Sequence, residues 1–122
     1  MTTETPLERF SENKNMWIAT VRPDGRPHLT PVWFVVSDGM IYFCIKDSSV
    51  KAANLALNPQ VSCSLEDGSS PLICEGMAGP VAAPWPDPVV AAFKEKYDWD
   101  TTTDSEYNTL VAITPRKWLK WN

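Results

Sequence analysis

A chain of 122 residues suffices for one domain around one core and leaves little room for a second, so residues 1–122 are read as a single domain. Hydrophobic residues at 43% and charged residues at 21% are globular proportions, and no apolar run approaches the about 18 residues of a bilayer span. A formal charge of −4 without a Lys/Arg cluster lacks the attraction that dominates nucleic-acid affinity, so neither nucleic acid nor membrane is expected as a partner.

Met1 to Lys14 alternates polar and charged residues without the apolar stretch of a secretory leader, which leaves the cytoplasm as the expected location. Within it, Thr5-Pro6-Leu7-Glu8 reads as a helix start, with Thr5 capping and Leu7 and Phe10 on one face. Met16 to Val21 and Pro27 to Val36 are β-favouring runs around Pro23-Asp24-Gly25, a hairpin signal. Ser37-Asp38-Gly39 is a second tight turn before Met40 to Ile45, so three strands are expected to meander in antiparallel order.

From Ser48 to Leu57 the period becomes helical, with Val50, Ala53, Leu55 and Leu57 on one broad apolar face and Asn58-Pro59 as the stop. Gln60 to Leu65 alternates as a half-buried strand. Leu72 to Val81 is a fifth strand in which Gly76 and Gly79 predict a bulge or a close backbone approach. Asp87 is placed to cap a helix from Pro88 to about Lys96, and Tyr97 to Glu106 reads as an exposed polar loop. Leu110 to Thr114 and Lys117 to Trp121 read as closing strands around a break at Thr114-Pro115. The expected fold is α+β, mainly β: a six- or seven-stranded antiparallel barrel with two to three short helices.

Three cysteines, Cys44, Cys63 and Cys74, lie in apolar runs, and an odd count cannot close into a full disulfide set, so buried free thiols are expected. With His28 the one histidine and no Cys-x-x-Cys spacing, neither a metal site nor a Ser-His-Asp triad is expected. Gly-rich phosphate loops are absent too. One segment offers a phosphate another seat: Ser48, Ser49 and Lys51 stand at a helix start, where free N–H groups and the dipole favour an anion. The same residues also suit a plain N-cap and a solvated lysine.

A more specific pattern lies in the order of motifs. Arg26-Pro27-His28-x-x-Pro31-Val32-Trp33, then Ile41-Tyr42-Phe43-Cys44, Ser49-Val50-Lys51-Ala52-x-Asn54-Leu55, Asn58-Pro59, Glu75-Gly76-x-Ala78 and Thr114-Pro115-x-x-Trp118 follow one another over nearly the whole chain. This order resembles the pyridoxamine 5′-phosphate oxidase-like family of flavin-binding split barrels. The resemblance implies an FMN-dependent oxidoreductase working as a homodimer, with hydride passing at the flavin ring to or from a small molecule and no side chain named as catalytic. It implies a ring lying along Thr30, Pro31, Val32 and Trp33, and a phosphate met by Phe43, Cys44, Ser49 and Lys51. Trp118 would touch the flavin bound mainly by the other subunit. Barrel packing alone would also account for Trp33, and better for Trp121.

Two phosphate contacts usual in that family are replaced here, an arginine by Val50 and a threonine by Cys44, and Lys46 or Arg26 is positioned to compensate. Trp33 and Trp85 are candidates for shaping a substrate pocket. A deazaflavin on the same fold is the second cofactor reading, and a non-catalytic flavin or tetrapyrrole carrier the third.

Overall fold

The computed structural model describes residues 4–121; Met1 to Thr3, the start of the stretch read above for a leader, and Asn122 lie outside it. Helix α1 (Pro6–Ser11) forms as the sequence suggests. The Thr5 hydroxyl accepts from the Glu8 amide at 3.1 Å and the Glu8 carboxylate accepts from the Thr5 amide at 3.2 Å, a reciprocal capping box. This short helix seats Phe10, fully buried, edge-on against Phe34 and Trp118.

Strands β1 (Asn15–Val21) and β2 (Pro27–Trp33) pair antiparallel from Asn15 opposite Trp33 to Val21 opposite Pro27. Strands β3 (Val35–Ser37) and β4 (Met40–Ile45) form a second hairpin through Asp38 and Gly39, whose φ of 50° and 77° are the positive pair that a two-residue turn requires.

The expected meander is corrected at Phe34. The run from Pro27 to Val36 is two strands, and the sheet order β2-β1-β5-β6-β7-β4-β3 sends them to opposite edges. The reason lies in α3, the helix over Asp87–Tyr97. The Tyr97 hydroxyl accepts from the Phe34 amide at 2.9 Å and stands 2.8 Å from the Phe34 carbonyl, which also accepts from the Lys96 ammonium at 3.0 Å. Side chains therefore take the backbone groups that a strand neighbour would otherwise bond.

Helix α2 (Val50–Leu57) is capped by Ser49, whose hydroxyl accepts from the Ala52 amide. Its buried face differs from the expected one: Val50, Ala53 and Leu57 are exposed, whereas Ala52 and Leu55 pack on the core and Asn54 is buried. Asn54 is satisfied by donating to the Thr20 hydroxyl at 3.0 Å, so a polar pair outcompetes the apolar stripe for the inner position.

Strands β5 (Gln60–Ser64), β6 (Leu72–Val81) and β7 (Thr109–Lys120) complete a seven-stranded antiparallel sheet that curls into a split barrel. Phe10, Ile18, Phe43, Val61 and Ile113 are among the side chains that fill it, and Val35, Val89, Phe93 and Leu110 form a second core under α3. The cysteines are buried and free, as the sequence suggests. Asp87 is the first residue of α3 rather than its cap, which is Pro86 without a side-chain bond. Among the described residues no helix is long and apolar enough to cross a membrane.

Contrary to the expected break at Thr114-Pro115, β7 is continuous. Pro115 faces Gly76, and the register advances so that Glu75 faces Lys117, leaving Arg116 as the extra residue of a bulge. Gly76 makes that approach possible, because a Cβ there would stand 2.5 Å from the Thr114 carbonyl oxygen. Gly76→Ala is therefore expected to destabilise the protein by about 1 to 3 kcal/mol in chemical denaturation. Gly79→Ala, with nothing within 4 Å of its added carbon, serves as the near-neutral control.

Candidate functional site

With β2 at one end of the sheet order, one of its edges has no strand partner. Along that edge opens a cleft of about 550 Å³, bounded by the end of β4, the start of α2 and the segment 98–108. Pro31, Val32 and Trp33 supply the β2 wall, and Cys44, Lys46, Ser49 and Lys51 the opposite one. Seven of the ten residues singled out from the sequence thus line one cavity.

The other three are placed differently. Thr30 points inward from β2 and reaches the site through Lys51, whose ammonium donates to its hydroxyl at 3.1 Å. The Phe43 ring is wholly in the core, so only its backbone could meet a ligand. Trp118 sits opposite Cys74 on β6, with its ring edge-on to Phe10 at 5.3 Å, and does not line this cleft. Of the side chains weighed beside them, Arg26 is engaged at 2.8 Å by Asp24 in its own turn, and Trp85 packs on the second core; neither lines the cleft. His28 is inward on β2, with Nδ1 buried and without a hydrogen-bond partner among the described residues.

Lys51 is the site's most distinctive charge. Burial lowers its pKa, its hydrogen bond goes to a neutral hydroxyl, and among the described residues no carboxylate lies in ion-pair range. A half-buried cation with no acid beside it favours an anion. Cys44 behaves oppositely: burial, with Asp104 adding to it, pushes its thiol up to about 12, so it lines the cleft as a neutral group.

The segment read as an exposed loop, Tyr97 to Glu106, is in part a packed wall. Thr101 is buried, and Trp99 meets Phe93 edge-on at 5.3 Å and Trp33 at 6.1 Å. Trp33 in turn stacks on Tyr97, 4.5 Å between centroids and 8° between planes. Asp104 Oδ1 accepts from the amides of Glu106 and Tyr107, while Oδ2 accepts from the Trp99 indole at 3.2 Å. These bonds keep the Asp104 carboxyl below its usual range, the backbone donors first. Trp99, Asp104 and Tyr107, together with Asn15, line the cleft and were missed in the sequence. The available signal was two large aromatics inside a polar, turn-rich segment.

A curled seven-stranded barrel with a cleft along the free edge of β2 defines the split-barrel class. The chain belongs to the pyridoxamine 5′-phosphate oxidase family, whose model (PNPOx_N) matches residues 3–122, as the order of motifs suggested. Among solved structures it resembles a conserved hypothetical protein from Mycobacterium tuberculosis, with 30% identity, a TM-score of 0.81, and coverage of 100% of this chain and 85% of that one. An F420 reductase aligns at 25% identity and TM-score 0.72, covering 92% and 94%. HutZ, a heme storage protein from Vibrio cholerae, shares the fold at 23% identity and TM-score 0.80, covering 98% and 95%. No curated protein matches the chain.

Lys96 and Tyr97, which hold Phe34, and the buried Cys44 give stability a distinct pH dependence. Burial lowers Lys96 from 10.5 to about 8 in the folded protein, so above that pH the unfolded chain binds the extra proton and stability rises. Cys44 and Tyr97, raised from 9.0 and 10.0 to about 12, keep protons that the unfolded chain loses, so stability falls at higher pH. A stability maximum at about pH 9 is expected in thermal melts. Lys96→Met should remove the rising limb and leave the fall.

Proposed function

We propose that the protein binds FMN in the cleft beside β2 and acts as an oxidoreductase on a small molecule. The observation that carries this is the convergence of Ser49 and acid-free Lys51 with the wall of Pro31, Val32 and Trp33 in one cavity. An anion at Lys51 would restore the charge that burial disfavours, and the Ser49 cap leaves early α2 amides nearby as donors. The unpaired edge of β2 offers backbone donors and acceptors to a planar ring, while Trp99 and Tyr107 keep water from its other side. A bound flavin supplies hydride transfer; the chain's part is to orient it, exclude water and leave one face open to substrate.

Family membership and the likeness to an F420 reductase support a cofactor of the flavin class. The same likeness, with uncharged Val50 in place of arginine, keeps a deazaflavin as the second reading. A non-catalytic flavin or tetrapyrrole carrier is the third reading; for heme, His28 does not line the cleft and burial raises the Cys44 thiol, which leaves Tyr107 as the lining side chain of a heme-ligating type. The cytoplasm remains the proposed location, and one domain the proposed organisation.

A second copy of this chain is the proposed partner. Register places Pro31, Trp17, Ser64, Ile73 and Leu119 side by side on the outer face of five strands. Trp17 is 39% exposed, and Leu29 beside this row is 61% exposed, an apolar area that a homodimer would cover. Light scattering is expected to give a dimer that Trp17→Glu converts to monomer.

Cofactor identity is tested by mass of the chromophore released from purified protein and by fluorescence titration. Lys51→Ala should weaken FMN on the order of ten- to a hundredfold and leave riboflavin little changed. Equal losses for both ligands would remove Lys51 from the phosphate.

A further inference from the structure

We infer that Lys46 is a second phosphate-recognition group of the cleft and that Glu106 is its built-in competitor, holding the lysine until an anionic ligand displaces it. This rests on the reading of the cleft as an FMN site. Lys46 follows β4 directly and lines the cavity. Its ammonium stands 3.5 Å from Glu106 Oε2 and 5.4 Å from the centroid of the Tyr107 ring.

That ion pair is loose and wet. Its separation exceeds the about 2.7–2.9 Å of a tight charge-assisted bond, and its side chains are 46% and 72% exposed. Pairs of this kind are weak, whereas a phosphate held within the cleft offers more charge and more acceptor oxygens in a drier place. Glu106 is nonetheless presented firmly. Asp104 Oδ1 accepts from the amides of Glu106 at 2.9 Å and Tyr107 at 3.1 Å, which fixes the turn that carries both residues to Lys46.

The two cleft lysines therefore differ in kind. Lys51, bonded only to the neutral Thr30 hydroxyl, is always available to an anion, and Lys46 is conditional. Lys46 also explains how the site can work with Val50: α2 offers an exposed, uncharged side chain there, and the missing positive charge arrives from the end of β4 instead. The arrangement discriminates by charge, since a ligand without a strong anion leaves Lys46 with Glu106.

The test is fluorescence titration of FMN and riboflavin into the wild type, Glu106→Gln, Lys46→Met and the double variant, with thermal melts to confirm that each folds. Glu106→Gln is expected to tighten FMN about two- to fivefold, and Lys46→Met to weaken it about tenfold, with riboflavin unchanged by either. In the Lys46→Met background, Glu106→Gln should do nothing. FMN affinity indifferent to Glu106→Gln, or riboflavin shifting in step with FMN, would overturn the inference. If no flavin binds the wild type, the cofactor reading fails on its own. The same proteins are then titrated with pyrophosphate, followed by tryptophan fluorescence. A gain from Glu106→Gln only where Lys46 is present sustains the gate, and identical affinities throughout overturn it.

Discussion

Phe34 carries backbone groups that side chains of α3, not a neighbouring strand, receive: the Tyr97 hydroxyl takes the amide, and the carbonyl is met by Tyr97 and the Lys96 ammonium. The placing of β2 and β3 at opposite edges of the sheet goes with that transfer. The transfer lets a β-favouring run of ten residues break without leaving buried polar groups unsatisfied. The run then serves both edges of the sheet, β2 beside β1 and β3 beside β4. The edge of β2 that the break leaves unpaired becomes a wall of the cleft. The same tyrosine stacks on Trp33, so one side chain splits the strand and sets the plane of the aromatic at the cleft's rim. Lys96 lies over the Phe34 ring at 3.8 Å, which offsets part of its desolvation.

Electrostatics gives the cleft its second character. The chain is acidic as a whole, yet Lys46 and Lys51 come together at this cavity. The nearest acid that lines it, Asp104, spends its acceptors on its own loop and on the Trp99 indole. With two lysines beside the ionised Asp104, the lining is less negative than the net charge suggests, and partial burial makes each cation count for more than it would on the surface.

Much of this was legible in the sequence where one local rule governed the outcome. Thr5 specifies a helix cap, Asp38-Gly39 specifies a tight hairpin, Val61 and Cys63 alternate inward, and Gly76 marks a close approach. The order of motifs located six cleft residues in sequence segments well apart, and Lys46 was found as the expected substitute for the missing arginine. What escaped was decided by tertiary competition. Nothing near Phe34 announces that a hydroxyl some sixty residues later will take its amide. Val50, Ala53 and Leu57 of the expected α2 stripe point outward because Asn54 has a buried partner in Thr20, on a strand that the helix sequence cannot see. Trp99 and Tyr107 were hidden by the polar residues around them, and Pro115 looked like a break because its partner glycine lies on another strand.

The proposed cofactor site is the cleft beside β2, opened by the break at Phe34. The most direct measurement is an amide-resolved NMR titration of the isotope-labelled protein with FMN. Shifts are expected at 30–33 on β2, at 44–51 around the end of β4 and the start of α2, and at 99–107. Saturable shifts confined to a second surface cavity, around Gln60, Glu75 and Arg116, with the β2 edge silent, would contradict it.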